Sequence, residues 1–184
     1  MSILKVARMG HPILKQVADV VPTDFFGTSQ FQQLVEDMVE TMEEYSGAGL
    51  AAPQVHESWQ ISVIEVKDNP RYPKANEIPL LVLVNPVITP LTTEKKLGWE
   101  GCLSLPGLRG AVPRFTKIHV KAQDQNGAPL DFVADGFKAI VIQHETDHLF
   151  GTVFIERMEN MKLLYFEREW DRYSEQLPQI PVID

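Results

Sequence analysis

Residues 137–150 (FKAIVIQHETDHLF) constrain this chain more than any other segment. Phe137, Ile140, Val141 and His144 recur at the helical period, which predicts a helix from Phe137 to Phe150 with much of its surface buried. Asp135 stands where an N-cap belongs, and Gly151 stands where a helix commonly terminates. His144 and His148 lie four residues apart, so both imidazoles stack on one face about one turn from each other. Glu145 follows the first of them. Two imidazoles able to share one cation, beside a carboxylate able to take a proton from water, are the parts of metal-assisted hydrolysis. The competing reading is an ordinary helix with two surface histidines, and the apolar surroundings count against it. The helix is therefore expected to be central.

A chain of 184 residues with 44% hydrophobic residues can bury a real core in one domain. Its formal net charge of −8, with no Lys/Arg cluster, argues against nucleic acid as a direct partner. No apolar run reaches the length of a membrane span, and Met1–Gly10 holds no apolar h-region. The expected setting is the cytoplasm, a processed organellar form being the other. The lone cysteine, Cys102, excludes an intrachain disulfide and fits a reducing compartment.

Periodicity supplies the remaining elements. Pro12 opens a short helix reaching about Val17. A longer one runs from about Gln30 to Tyr45, with Ser29 and Gln32 as a capping box and Phe31, Leu34, Val35, Met38, Val39 and Met42 as its core stripe. Gly47 and Gly49 close it and permit unusual backbone angles. Ile61–Val66, Leu81–Val84 and Val87–Ile88 read as short strands, and 67–80 as a loop. Ile118, Val120 and Ala122 alternate with polar residues before an Asn126-Gly127 turn and a further strand at Leu130 and Phe132. A last helix is expected from Met161 to about Gln176, with Leu163, Phe166, Trp170 and Tyr173 on one side. Strands grouped together with helices at both ends, and no βαβ alternation, indicate an α+β fold.

Two histidines leave a hydrolytic site one protein ligand short. Continuation as H-E-x-x-H-x-x-G-x-x-H puts Gly151 at the glycine, but Phe154 stands where the third histidine belongs. A downstream glutamate, Glu167 or Glu169, is suitably spaced, yet both sit among Arg168, Asp171 and Arg172 in what reads as a solvated face. Cys102 is the third source. Gly101 beside it lets the backbone approach closely and leaves the thiol accessible, and a thiolate with two neutral imidazoles suits a borderline-soft divalent ion. As a nucleophile, Cys102 would need His144 or His148 as a base free of metal. As plain structure, it would be a small buried hydrophobe. The spacing of the histidines favours ligation.

Three stretches then carry a family resemblance. Gly47-Ala48-Gly49-Leu50-Ala51-Ala52-Pro53-Gln54, Glu100-Gly101-Cys102-Leu103-Ser104 and Gln143-His144-Glu145-Thr146-Asp147-His148 resemble the G-x-G-L-A-A-x-Q, E-G-C-L-S and Q-H-E-x-D-H motifs of the peptide deformylases, in the same order. The likeness covers about residues 5–160, including Val112-Pro113-Arg114 and Ala134-Asp135-Gly136, with a less distinctive tail over 161–184. It implies one catalytic domain of compact α+β fold, in which small antiparallel sheets surround a central metal-binding helix and a C-terminal helix follows. It implies hydrolysis of the formyl group from N-formylmethionyl peptides, yielding formate.

The resemblance further implies Cys102, His144 and His148 as ligands of one divalent ion, Fe²⁺ typically, with Zn²⁺, Ni²⁺ or Co²⁺ accepted. Glu145 is implied as the acid/base, with the Gln54 amide and the Leu103 backbone N–H as oxyanion donors. Ala51 and Ala52 are expected to pack behind the loop. The peptide backbone would run near Ala48, Gly49 and Gly101, with Phe137, Ile140 and Val141 lining the methionine pocket and Arg109 nearby. Ala48 is smaller than the aliphatic residue often found there, which widens the entrance. Some bacterial members dock a basic C-terminal helix on the ribosome; here Lys162, Arg168 and Arg172 face Glu167, Glu169, Asp171 and Glu175, so even a transient ribosome contact is weakly supported. The alternatives are a metallopeptidase of the H-E-x-x-H type and a non-catalytic metal-binding domain.

Overall fold

The computed structural model describes residues 2–67, 76–178 and 180. In chain order the elements are α1 (Ser29–Glu44), β1 (Gly49–Ala51), β2 (Ile61–Val66), β3 (Ile78–Pro90), β4 (Lys95–Cys102), β5 (Leu105–Phe115), β6 (Lys117–Gln123), β7 (Pro129–Asp135), α2 (Gly136–Leu149), β8 (Leu164–Phe166) and α3 (Glu167–Tyr173), joined in places by 3-10 turns. The strands pair antiparallel in two sheets, ordered β1-β2-β3-β6-β7 and β4-β5-β8. This is the expected α+β architecture with α2 at its centre.

Strand β2 carries apolar residues on both faces, Ile61 and Val63 on one and Ile64 and Val66 on the other, because both faces are covered. Ile61 and Val63, with Val82 and Val84 of β3, meet Phe31, Val35, Met38 and Met42 of α1. On the opposite face Ile64, Val66 and Leu83, with Ile118 and Val120 of β6, pack against Ala139 and Ile142 of α2. Burying side chains of this size contributes about 1.5–3 kcal/mol apiece. A third cluster of Cys102, Leu105, Val112, Val153 and Phe154 joins the smaller sheet to the segment after α2, where Phe154 lies against the His144 ring. All eleven residues from Ala139 to Leu149 are buried, so α2 has no solvated face on which to place its histidines.

Both ends of α2 are fixed by neighbours. Asp135 holds the N-cap position, but its side chain makes no capping hydrogen bond; Gly136 opens the helix at a φ of +55°. At the other end the N-terminal segment crosses over, and Ala18 N–H donates to the otherwise unpaired Leu149 carbonyl at 2.8 Å. Gly151 turns the chain at a φ of +71°, and a Cβ there would stand 2.7 Å from the Lys15 carbonyl carbon.

Several expectations are corrected. Helix α1 is capped one residue earlier, by the Thr28 hydroxyl accepting from Phe31 N–H at 3.2 Å. The short helix near Pro12 is a single 3-10 turn ending at Lys15, because Val17 and Ala18 are drawn into pairing with Phe150 and Leu149. Gly47 and Gly49 do not adopt left-handed angles; Ser46 does, at a φ of +52°. The two runs around Asn85 are one strand, β3, bulged between Val84 and Val87, and it begins at Ile78, inside the stretch read as loop. The rest of that loop, 68–75, lies outside the described residues. Strands β4 and β5 were not apparent from the sequence, since glycines and prolines at Gly98, Gly101, Pro106, Gly107, Gly110 and Pro113 mask their pattern. The single helix expected over 161–176 is divided, because Leu164–Phe166 pair with the open edge of β5. Phe166 is consequently 68% exposed and leaves the apolar stripe.

Gly151→Ala combines a left-handed φ with a backbone clash, and is expected to cost about 2–3 kcal/mol. Urea unfolding should show a lower midpoint at unchanged slope. A midpoint equal to that of the unmodified protein would contradict the account of this turn.

Candidate metal centre

Cys102 ends β4 where the β4–β5 register shifts, so the tight turn at Leu103 and Ser104 presents it toward α2. Its Sγ lies 3.2 Å from His148 Nε2. One donor atom each from Cys102, His144 and His148 fall within 4.8 Å of one another, and all three residues are buried. The cysteine is thus 4% exposed rather than open to solvent, although it lines the cleft. One sulfur and two imidazole nitrogens in this proximity fit a borderline-soft divalent ion.

The two imidazoles are held differently. Glu100 Oε2 accepts from His144 Nδ1 at 2.7 Å, which fixes the tautomer and turns Nε2 toward the cluster. Burial opposes charge on His144, while Cys102 and Glu100 raise its pKa well above the ordinary value. Burial and the neighbouring His144 push His148 well below it, and His148 Nδ1 has no hydrogen-bond partner among the described residues.

Glu100 is itself anchored. Arg114 binds it with two nitrogens, Nε at 2.7 Å and Nη2 at 3.0 Å, and reaches Asp147 through Nη1 at 2.6 Å. Arg157 closes the network on Asp147 at 2.7 and 3.1 Å. Burial alone would raise the Glu100 pKa, but Arg114 and His144 hold it at about 2; Arg114 is raised in turn. Gln143 adds a further tie, its amide donating to the Phe115 carbonyl at 2.8 Å and accepting from Phe115 N–H at 3.1 Å. Glu100, Arg114, Gln143 and Asp147 fall within the sequence motifs, where nothing local assigns them a role. With β5 masked by its glycines and prolines, no local pattern marked Arg114 as a buried charge in need of a partner.

Glu145 turns its carboxylate onto β1. A Cβ on Gly49 would lie 2.6 Å from Glu145 Oε1, so this glycine is required by close approach. Burial raises the Glu145 pKa to about 7, and its Oε2 is buried without a partner among the described residues. An acceptor so placed is suited to a water or substrate proton. The Gln54 side chain holds its own loop, Oε1 accepting from Ala51 N–H at 2.8 Å, while Nε2 points to Ser104 Oγ at 3.2 Å and Cys102 Sγ at 3.5 Å. Ala51 and Ala52 are fully buried behind it.

Gly47, Ala48, Gly49, Gly101, Leu103, Phe137, Ile140 and Val141 line the same cleft as Gln54, Cys102, His144 and Glu145, and Trp99 joins them. Arg109 does not line it; it sits behind, opposite Gly101 in the β4–β5 register. Phe154, at the metzincin third-histidine position, is a core residue whose ring stacks 6.2 Å from that of His144. Glu167 and Glu169 are not in the donor cluster. His119 is engaged by Asp131 at 2.6 Å, and His11 and His56 pair with each other at 4.7 Å, so no fourth imidazole closes the site.

Comparison with known proteins gives the same direction throughout. The family described as polypeptide deformylase matches residues 3–163. Peptide deformylase 1 of Nitrosomonas europaea is 46% identical over 157 residues, covering 85% of this chain and 88% of the relative. The Leptospira biflexa peptide deformylase is 41% identical over 172 residues, covering 93% and 96%. Among solved structures, the Met-Ala-Ser-bound class I type b peptide deformylase of Acinetobacter baumannii superposes with a TM-score of 0.83 at 41% identity, covering 85% of this chain and 99% of that one.

Arg114→Leu leaves Glu100 and Asp147 buried with too few cations, and is expected to cost about 3–5 kcal/mol. Chemical denaturation measures this directly; a loss below about 1 kcal/mol would mean the network is not what joins the hairpin to α2.

Proposed function

Since this chain belongs to the polypeptide deformylase family, we propose that residues 1–184 act as one catalytic unit removing the formyl group from the N-terminal formyl-methionine of nascent polypeptides. The observation that carries this reading is the convergence of Cys102, His144 and His148 beside the buried carboxylate of Glu145. These three residues would hold one divalent ion, for which we propose Fe²⁺, with Zn²⁺, Ni²⁺ or Co²⁺ suiting the same donors. When bound, such an ion supplies Lewis acidity and makes water more acidic.

Glu145 takes the proton of the attacking water and returns it to the departing amine nitrogen. A carboxyl whose pKa is raised to about 7 can both accept and release a proton near neutrality. Gln54 Nε2 and the Leu103 backbone N–H donate to the oxygen on which negative charge develops. For the substrate backbone, the two sheets supply matching edges: β1 and β4 are each terminal strands, and the cleft runs between them. A peptide entering as an added strand would bond along Ala48 and Gly49 on one side and Gly101 on the other. Phe137, Ile140 and Val141 then form the floor for the methionine side chain. Arg109, behind Gly101, supports that edge. No described helix is long and apolar enough to cross a membrane, and a cytoplasmic setting where formylated chains emerge belongs to the same reading.

The relative with bound Met-Ala-Ser makes formyl-Met-Ala-Ser the natural test substrate. Formate release should be measured alongside metal content of protein purified without oxygen. Glu145→Gln is expected to keep its metal and lose about 10²- to 10⁴-fold in turnover; near-normal turnover would remove Glu145 from the acid/base role. Cys102→Ala is expected to lose or weaken metal binding. Full occupancy in that variant, together with metal loss on replacing Glu167 or Glu169, would favour a metallopeptidase instead.

A further inference from the structure

The C-terminal segment is built into the substrate cleft through one aromatic cluster. Trp99 lines the cleft on one side and, on the other, packs against Tyr165 of β8 and Trp170 of α3, with ring centroids 5.8 and 5.9 Å apart. The Trp170 ring also carries the Arg109 guanidinium, 4.5 Å from its centroid. Arg109 stands opposite Gly101 in β4 and opposite Tyr165 in β8, so it lies between the substrate edge and the tail. It is only 8% exposed, its Nε has no hydrogen-bond partner among the described residues, and the Trp170 ring covers the face of its guanidinium. Helix α3 spans seven residues, too few to be stable by its own hydrogen bonding; its place is set by β8 pairing and by these rings.

We propose that Trp170 is a positioning residue for peptide recognition: by stacking on Arg109 and packing edge-on against Trp99 it holds the part of the cleft wall met by the third residue of a formylated peptide. The placement rests on the deformylase reading above. Strand β4 runs toward Cys102, so a peptide with its formyl end at Cys102 runs back along β4. Trp99 is two residues behind Gly101 and on the same face, about two residue steps along an extended chain. The methionine occupies the pocket near Gly101, and the wall at Trp99 falls to the residue after next.

The test compares KM and kcat for formyl-Met-Ala and formyl-Met-Ala-Ser. Trp170→Ala is expected to raise KM for the tripeptide about 3- to 10-fold, the scale of one aromatic and one cation–π contact. KM for the dipeptide, and kcat for both, should stay within about twofold. Trp170→Phe should restore the tripeptide KM. If Trp170→Ala fails to fold, Trp170→Leu, which keeps bulk without the π face, is read in its place. Equal shifts for both peptides, or none for the tripeptide, would overturn the assignment. Absence of formate release by the unmodified protein from either peptide would instead remove the deformylase reading itself.

Discussion

Two carboxylates and two guanidiniums, Glu100 and Asp147 with Arg114 and Arg157, connect four separate pieces of this fold. They come from β4, β5, α2 and the 3-10 turn after α2. Arg157 is half exposed, but the Arg114 pairs are deeply buried, and such pairs return little net stability compared with a well-packed apolar filling, because desolvation cancels most of the attraction. What they supply is position. Arg114 fixes Glu100 with a planar fork, and Glu100 in turn fixes the His144 ring. The charge of the network balances without the imidazole, so a cation approaching His144 Nε2 meets no fixed positive partner that the network itself requires. Cation binding would displace any proton held there.

The same constraint determines where side chains are absent. On the side of the larger sheet β1 lies against Glu145, and only glycine fits at position 49. On the other side of α2, a Cβ on Gly110 would meet Met158 Sδ at 2.6 Å and the Phe154 ring at 3.0 Å. Phe154 in turn lies against the His144 ring. The imidazole is therefore restrained by a charged hydrogen bond at one edge and by an apolar layer on one face. In the fold Gly49 is a close approach to Glu145 itself, and Gly110 a close approach to the apolar layer behind His144.

What the sequence made legible follows the range of the interactions. Helix α2 and its pair of imidazoles are local, four residues apart, and the apolar period around them already implied burial. Cys102 lies 42 residues before His144, so no local spacing tied them; weighing the other candidates favoured it as third ligand, and the motif resemblance implied the same. The ties that orient the ligands were illegible: Glu100 and Arg114 are 14 residues apart and Arg114 and Asp147 are 33 apart, with no periodic trace of either contact. Strands β4 and β5 were hidden because the glycines and prolines that let the hairpin bulge and pack also erase alternation. In the tail, helical periodicity was real but was overridden by the free edge of β5, a tertiary demand that no local pattern encodes.

The two histidines, equivalent in the motif, are not equivalent in the fold. His144 has its Nδ1–H committed to the Glu100 carboxylate, which Arg114 and His144 hold at a pKa of about 2, so that partner is ionised near neutral pH. His148 is 1% exposed, its Nδ1 meets no described partner, and its orientation depends on packing and on Cys102. A hydrogen bond from the far nitrogen to an anion raises the basicity of the ligating one. His144 is thus the stronger donor, and the Cys102–His148 pair the more adaptable one. Adaptability in one pair against rigidity in the other would suit a single donor set to divalent ions of different size. The choice among them would then be left to supply and redox conditions rather than to geometry.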